Sequence, residues 1–115
     1  MTFDEYQRAA LRTANPSLNE RDRLLDASAG LAEEAAEVLG LIRKRIFQNR
    51  AIDESKLAEE LGDVLWCLAV TADTLGIPLS RVAELNQEKL RARHPSGFIA
   101  EPPRTPELWS RSAKE

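Results

Sequence analysis

Two acidic stretches rich in alanine and leucine decide the fold of this chain: GLAEEAAEV at residues 30–38 and KLAEELGDVLW at residues 56–66. Within and around both stretches, apolar residues recur at steps of three and four, which is typical of amphipathic helices. The first helix is predicted to span about residues 21–47. Its apolar stripe consists of Leu24, Ala27, Leu31, Ala35, Val38 and Ile42.

The second long helix has recognisable boundaries in the sequence. Asp53 is a suitable N-cap residue, and Gly76 followed by Pro78 is a common end for a helix. The apolar stripe of this helix consists of Leu57, Leu61, Val64, Leu65, Leu68, Ala72 and Leu75. Two amphipathic helices that follow one another in the chain predict a helical hairpin.

Two shorter helices flank this pair. One is predicted over residues 3–14, and Ser80 is expected to cap another over residues 81–91. Residues 94–97 (HPSG) read as a turn, in which His94 is expected to be structural. Because no strand pattern is found, the expected fold is all-α, with four to five helices in each protomer.

The bulk properties narrow the class of protein. A length of 115 residues predicts one domain, assigned here to residues 1–99, followed by a proline-rich tail at 100–115 that contains Trp109. A net charge of −3 without a basic cluster argues against nucleic acid polymers as partners. A single cysteine, Cys67, is typical of the cytoplasm, and no apolar run is long enough to cross a membrane.

Each long helix carries two acidic residues three positions apart, Glu34 with Glu37 and Glu60 with Asp63. Residues at this spacing lie on one face of a helix, and none of the four has a basic residue four positions later. On a helical wheel, Glu34 and Glu60 lie about 60° and about 90° from their apolar stripes. Antiparallel packing through those stripes would bring four carboxylates together, which is unfavourable without a divalent cation.

These four carboxylates form a set of hard oxygen donors without histidine or cysteine. Such donors favour Mg²⁺, with Mn²⁺ as the alternative, over zinc. Because Mg²⁺ also binds phosphate oxygens, the pattern indicates cleavage of a phosphate ester or phosphoanhydride. The simpler interpretation is that both motifs are solvated acidic faces, since one such motif alone occurs on many helices.

The two stretches, followed by NQEKLRARHPSGF at residues 86–98, resemble the MazG family of nucleotide pyrophosphohydrolases. The similarity covers about residues 6–98 and includes the family pattern ExxE, a spacer and ExxD in that order. It implies an α-helical protomer that dimerises into a four-helix-bundle core, or forms a homotetramer of paired dimers. It also implies Mg²⁺-dependent hydrolysis of an NTP or dNTP to the monophosphate and pyrophosphate.

The resemblance assigns roles to particular residues. The implied metal ligands are Glu34, Glu37, Glu60 and Asp63. Glu33 would orient or deprotonate the attacking water, and Lys56 matches a family lysine near the substrate. The implied triphosphate-binding residues are Asn86, Lys89 and Arg93, which share one helical face. Without the acidic motifs, that face would read as an ordinary basic end of a helix.

Trp66 lies about 140° from Leu61 on the wheel, away from the predicted stripe and beside Val70. A tryptophan on an outer face is expected to contact a partner subunit or to stack on a nucleobase, and the first role is preferred. Two non-enzymatic interpretations stay open, a helical dimerisation or regulatory module and a protein that only binds a divalent cation. Lys89 and Arg93 favour the enzyme, because neither alternative needs cations beside the acids.

Overall fold

The computed structural model describes residues 1–100, so Trp109 and the rest of the predicted tail lie outside the described residues. This part of the chain contains no strand and four helices: α1 (Phe3–Leu11), α2 (Glu20–Gln48), α3 (Glu54–Thr74) and α4 (Leu79–Arg93). The all-α prediction is therefore confirmed. Within residues 1–100, no single helix is long and apolar enough to cross a membrane; α3 and α4 taken together, with a bend between them, have that length and composition.

The chain divides into two compact units, one comprising Met1–Glu84 and one beginning at Leu85. The first unit contains α1, α2, α3 and the start of α4, and the second contains the remainder of α4. In the second unit, the N–H of Gly97 donates to the carbonyl of His94 at 3.0 Å, and Gly97 has a φ of 80°. The turn predicted at residues 94–97 is thus confirmed.

Capping residues mark the start of α2 and both ends of α3. The Asn19 side chain accepts a hydrogen bond from the N–H of Asp22 at the start of α2. Asp53 accepts from the N–H groups of Ser55 and Lys56, at 3.0 and 3.2 Å, as expected for the N-cap of α3. At the other end of α3, Gly76 adopts a φ of 71° and closes the helix. Both predicted boundaries of α3 are therefore confirmed.

The start of α4 differs from the prediction. The helix begins at Leu79, so Ser80 lies in its first turn and is not the cap. Two side chains of α1 bind the free N–H groups instead: the Gln7 carbonyl accepts from the N–H of Leu79 at 2.9 Å, and the Asp4 carboxylate accepts from the N–H and hydroxyl of Ser80 at 3.0 and 2.7 Å. α1 itself ends at Leu11 rather than at residue 14, and turns follow it.

α2 and α3 form an antiparallel hairpin, and α1 packs against α3. Arg23 reaches Asp73 at 4.0 Å, a Cβ on Gly30 would lie 3.1 Å from the Cys67 sulfur, and carboxylate oxygens of Glu34 and Glu60 lie within 4.8 Å of each other. Across these three pairs, the residue number rises along α2 while it falls along α3, so the two helices run antiparallel. On the other side of α3, a small core forms around Ala10, Ala69 and Leu79, with Tyr6, Leu65 and Trp66 packed against it.

The predicted stripe of α3 is only partly correct. Leu61, Leu68 and Leu75 are 53%, 38% and 55% exposed, so they point away from the protomer core. Ala72 is buried as predicted, whereas Val70, expected on an outer face, is only 2% exposed. The physical reason is that α3 is covered by α2 on one side and by α1 on another, and the periodicity of α3 alone does not show which of its sides α1 covers.

Candidate functional site

Three of the four predicted metal ligands converge. Glu34 and Glu37 of α2 and Glu60 of α3 each place a carboxylate oxygen within 4.8 Å of the other two. The spacing of three residues puts the first pair on one face of α2, and the antiparallel hairpin brings Glu60 opposite them. Oxygens bound to one Mg²⁺ lie up to about 4.2 Å apart, since each bond is about 2.1 Å long. The group therefore fits a small divalent cation after slight side-chain adjustment.

The charges at this centre are poorly balanced by protein groups. Glu60 is only 4% exposed, and its carboxylate lies 3.2 Å from the Lys56 ammonium, which is the cation paired with the group in the described part of the chain. This hydrogen bond and charge raise the pKa of Lys56. Burial raises the pKa of Glu34, helped by its hydrogen bond with Glu60 and by the charge of Asp63. A bound cation would relieve this crowding.

Asp63 lies outside the three-carboxylate group. Its side chain is exposed and lines a neighbouring cavity together with Glu34. Burial raises the pKa of Tyr6 on α1, and the charge of Asp63 adds to that effect. The structure thus brings together three of the predicted ligands and places the fourth beside them.

The neighbouring cavity has a volume of about 300 Å³. It is lined by Asp26, Ala29, Gly30, Glu33, Glu34, Asp63, Trp66 and Cys67. Glu33, the predicted catalytic residue, thereby lies on the cavity wall beside Glu34. Burial raises the pKa of the Cys67 thiol, and the charge of Glu34 adds to this effect, so the thiol is not an activated nucleophile. Asp26 was not predicted from the sequence, although it lies seven residues before Glu33 and about 20° from it on the wheel of α2.

Trp66 forms one wall of this cavity. Its indole N–H donates to the carbonyl of Ala10 at 3.1 Å and to the hydroxyl of Thr13 at 2.8 Å. The expectation that Trp66 occupies an outer face is therefore wrong, because α1 covers one side of the ring. What remains of the ring faces the cavity residues.

Asn86, Lys89 and Arg93 belong to the second compact unit. All three side chains are exposed on α4, and their spacing keeps them on one helical face. Their contact with a triphosphate stays a prediction.

Comparisons with known proteins agree with this geometry. A family model described as MazG nucleotide pyrophosphohydrolase domain matches residues 24–98, which contain both acidic motifs. The gene 37 protein of Mycobacterium phage L5 is 34% identical over 107 residues, covering 86% of this chain and 94% of that protein. The uncharacterized protein YvdC of Bacillus subtilis (strain 168) is 35% identical over 72 residues, covering 55% and 68%.

No solved structure gives a significant match to the chain. The family match nevertheless covers more than half of the 115 residues and includes every carboxylate of the centre. The matched residues include the two antiparallel helices on which the three acids converge. The chain belongs to the MazG nucleotide pyrophosphohydrolase family.

Proposed function

We propose that the protein hydrolyses a nucleoside triphosphate, either an NTP or a dNTP, to the monophosphate and pyrophosphate with Mg²⁺. The observation that carries this proposal is the convergence of Glu34, Glu37 and Glu60 within 4.8 Å in a chain of this family. Clustered carboxylates of this kind are costly for the fold unless they hold a cation. A purely structural or regulatory helical module has no need for that cost.

Glu34, Glu37 and Glu60 would hold the ion, and Asp63 would complete the set from the cavity side. Because all donors are oxygens, Mg²⁺ is the expected metal and Mn²⁺ the alternative. When bound, the ion neutralises charge on the phosphate oxygens and on the leaving pyrophosphate. Asn86, Lys89 and Arg93 are proposed to bind the triphosphate, and Lys56 is proposed to contribute from beside Glu60.

Glu33 is the proposed catalytic residue. Its carboxylate accepts a proton from a water molecule, whose oxygen attacks the α-phosphorus in line with the bond that breaks. That bond joins the α-phosphorus to the oxygen bridging to the β-phosphate, and pyrophosphate leaves with the bonding electrons. Positioning and electrostatic stabilisation supply most of the rate enhancement in such reactions.

We further propose that the protein forms a homodimer, or a homotetramer of paired dimers, through an apolar face. This face consists of Leu25, Leu39 and Ile46 of α2 and Leu61, Leu68 and Leu75 of α3, all of them exposed. Spacings of seven or fourteen residues are typical of helices that pack along their length. Two hairpins joined by this face would form a four-helix bundle.

The experiment that tests the proposed activity is pyrophosphate release from a panel of NTPs and dNTPs, including modified bases, with and without Mg²⁺. Turnover of at least one nucleotide that stops on removal of divalent cations supports the proposal. Glu37→Gln should reduce turnover at least about 100-fold with an unchanged helical circular dichroism spectrum, since it removes one charged metal ligand. Near-normal, metal-dependent turnover by this variant would show that the site is misplaced.

A further inference from the structure

The cavity beside the carboxylates differs in charge from the end of the site where Lys56 lies. Its lining includes the acids Asp26, Glu33, Glu34 and Asp63 and no basic residue. Since the hairpin is antiparallel, the order along it is Lys56 and Glu60 first, then Asp63, and finally Trp66 with Asp26 at the far end. If a cation bound at the Glu34 end holds the triphosphate, the far end of the cavity, at Asp26 and Trp66, is left for the uncharged part of the nucleotide.

The aromatic wall of the cavity is fixed in place. The N–H of Trp66 is used by Ala10 and Thr13 on α1, so this group has no remaining donor for a ligand. The part of Trp66 left for a ligand in the cavity is therefore the carbon surface of its aromatic ring. Nucleobases stack on such surfaces whatever their identity, because every base has a π face. Stacking on Trp66 would hold a base without distinguishing one base from another.

To distinguish one nucleobase from another, the cavity needs a polar group, and Asp26 lies in its lining. It lies eight residues before Glu34, about 12 Å along the axis of α2. Asp26 lies in the cavity lining with Cys67, and none of the ion pairs among residues 1–100 involves it. An ionised carboxylate only accepts hydrogen bonds. The exocyclic amino groups of cytosine and adenine donate such bonds, whereas uracil and thymine present a carbonyl oxygen at the equivalent position.

We infer that this cavity is the base subsite and that Asp26 is its specificity-determining residue. The substrates it selects are nucleotides whose base carries an exocyclic amino group, in preference to bases that carry a carbonyl there. This inference rests on the proposed hydrolysis, whose substrate class it narrows. It assigns stacking to Trp66 and selection to Asp26, at the end of the cavity away from the proposed metal-binding carboxylates Glu34 and Asp63.

The test compares kcat/KM for dCTP and dUTP, which differ at one exocyclic group of the pyrimidine ring. The wild-type chain should favour dCTP about tenfold, as expected for one hydrogen bond to a partly solvated carboxylate. Asp26→Asn should bring the ratio to within about twofold, because an amide donates as readily as it accepts. Glu20→Gln, an exposed change of the same charge on α2 outside the cavity lining, should keep the wild-type ratio.

Binding gives a second readout that does not depend on turnover. The chain has two tryptophans, so Trp109→Phe leaves Trp66 as its single tryptophan. Non-hydrolysable dCTP and dUTP analogues should quench its fluorescence, with the dCTP analogue binding about tenfold tighter and Asp26→Asn removing that difference. Absence of quenching at saturating concentrations of either analogue would overturn the stacking role of Trp66.

The outcomes separate the two proposals. Pyrophosphate release without discrimination between dCTP and dUTP, or with a ratio that Asp26→Asn leaves unchanged, overturns the base subsite and leaves the hydrolysis standing. Preferential binding of the dCTP analogue without pyrophosphate release from any nucleotide overturns the hydrolysis and leaves the subsite standing.

Discussion

The two sides of the α2–α3 hairpin differ in what they lack. On one side, Glu34, Glu37 and Glu60 converge, and Lys56 forms an ion pair with Glu60. The other side exposes the leucines and the isoleucine of the apolar face. Leu39 lies about 160° from Glu37 on the wheel of α2, so one helix serves both sides. Each side is unfavourable in an isolated protomer, the first for want of a cation and the second for want of an apolar partner. In the proposed function, a bound cation would offset the first cost and a second protomer the second.

The largest effect is expected on the carboxylate side. Glu60→Gln should lower kcat/KM for pyrophosphate release about 10³-fold, because a bound metal contributes several kcal/mol of charge stabilisation. In EDTA the same variant should melt at a temperature equal to or above that of the wild type, since it removes a buried negative charge from a crowded group. Differential scanning fluorimetry with and without Mg²⁺ checks the second part. A large loss of stability in EDTA would mean that Glu60 is a structural residue.

A change on the apolar face should break the assembly and leave the protomer folded. Leu39→Glu places one charge per subunit in the proposed interface and should weaken dimerisation about 100-fold. Leu39→Met, which keeps the position apolar, should leave the dimer intact. Analytical ultracentrifugation over a range of concentrations measures both. A wild-type chain that sediments as a monomer at every concentration would contradict the proposed interface.

The sequence predicted the acidic motifs and the helix ends better than the surroundings of Trp66 and Val70. The paired acids and the caps at Asp53 and Gly76 depend on residues close together in the chain, and local spacing predicted them. The position of Trp66 depends on α1, whose docking involves residues 53 to 76 positions away. Periodicity along a single helix does not contain that information, which is why the stripe of α3 was only partly correct.

Asp63 was predicted with the other ligands because it lies three residues after Glu60, and its role as a metal ligand stays a prediction. The wheel places Asp63 one turn from Glu60 on α3, whereas in the structure Asp63 lines the cavity with Glu34 and is not among the three converging carboxylates. Asp26 was not predicted because it belongs to neither the ExxE nor the ExxD motif. The available signal was the spacing of seven residues between Asp26 and Glu33, which puts both acids on one face of α2.

A smaller effect should come from the junction that holds α1 in place. Gln7 is buried, and its amide donates to the carbonyls of Ala69 and Ile77 while its carbonyl accepts from Leu79. Gln7→Leu leaves these groups unpaired and should lower the free energy of unfolding by about 2 kcal/mol. Urea denaturation measures this change. Because Trp66 bonds to α1, its fluorescence maximum should shift in the same variant, and an unchanged spectrum would show that Gln7 does not support the cavity wall.

The smallest effect is a pH dependence at the start of α4. The N–H of Ser80, and then its hydroxyl, lower the pKa of Asp4. A carboxyl with a lowered folded pKa stabilises the protein above its ordinary pKa, and this contribution is lost as the pH falls through the lowered value. Asp4→Asn should therefore lose less stability than the wild type between about pH 5 and pH 3. Urea midpoints across that range test this, and parallel curves for the two chains would exclude the effect.

The central claim, that the acidic side of the hairpin holds a divalent cation for nucleotide hydrolysis, is tested most directly by anomalous diffraction from crystals grown with Mn²⁺ and a non-hydrolysable nucleotide. The expected result is a manganese peak about 2.2 Å from carboxylate oxygens of Glu34, Glu37 and Glu60, with the triphosphate on its open side. A well-ordered nucleotide bound elsewhere, with no metal density among these three side chains, would contradict the claim.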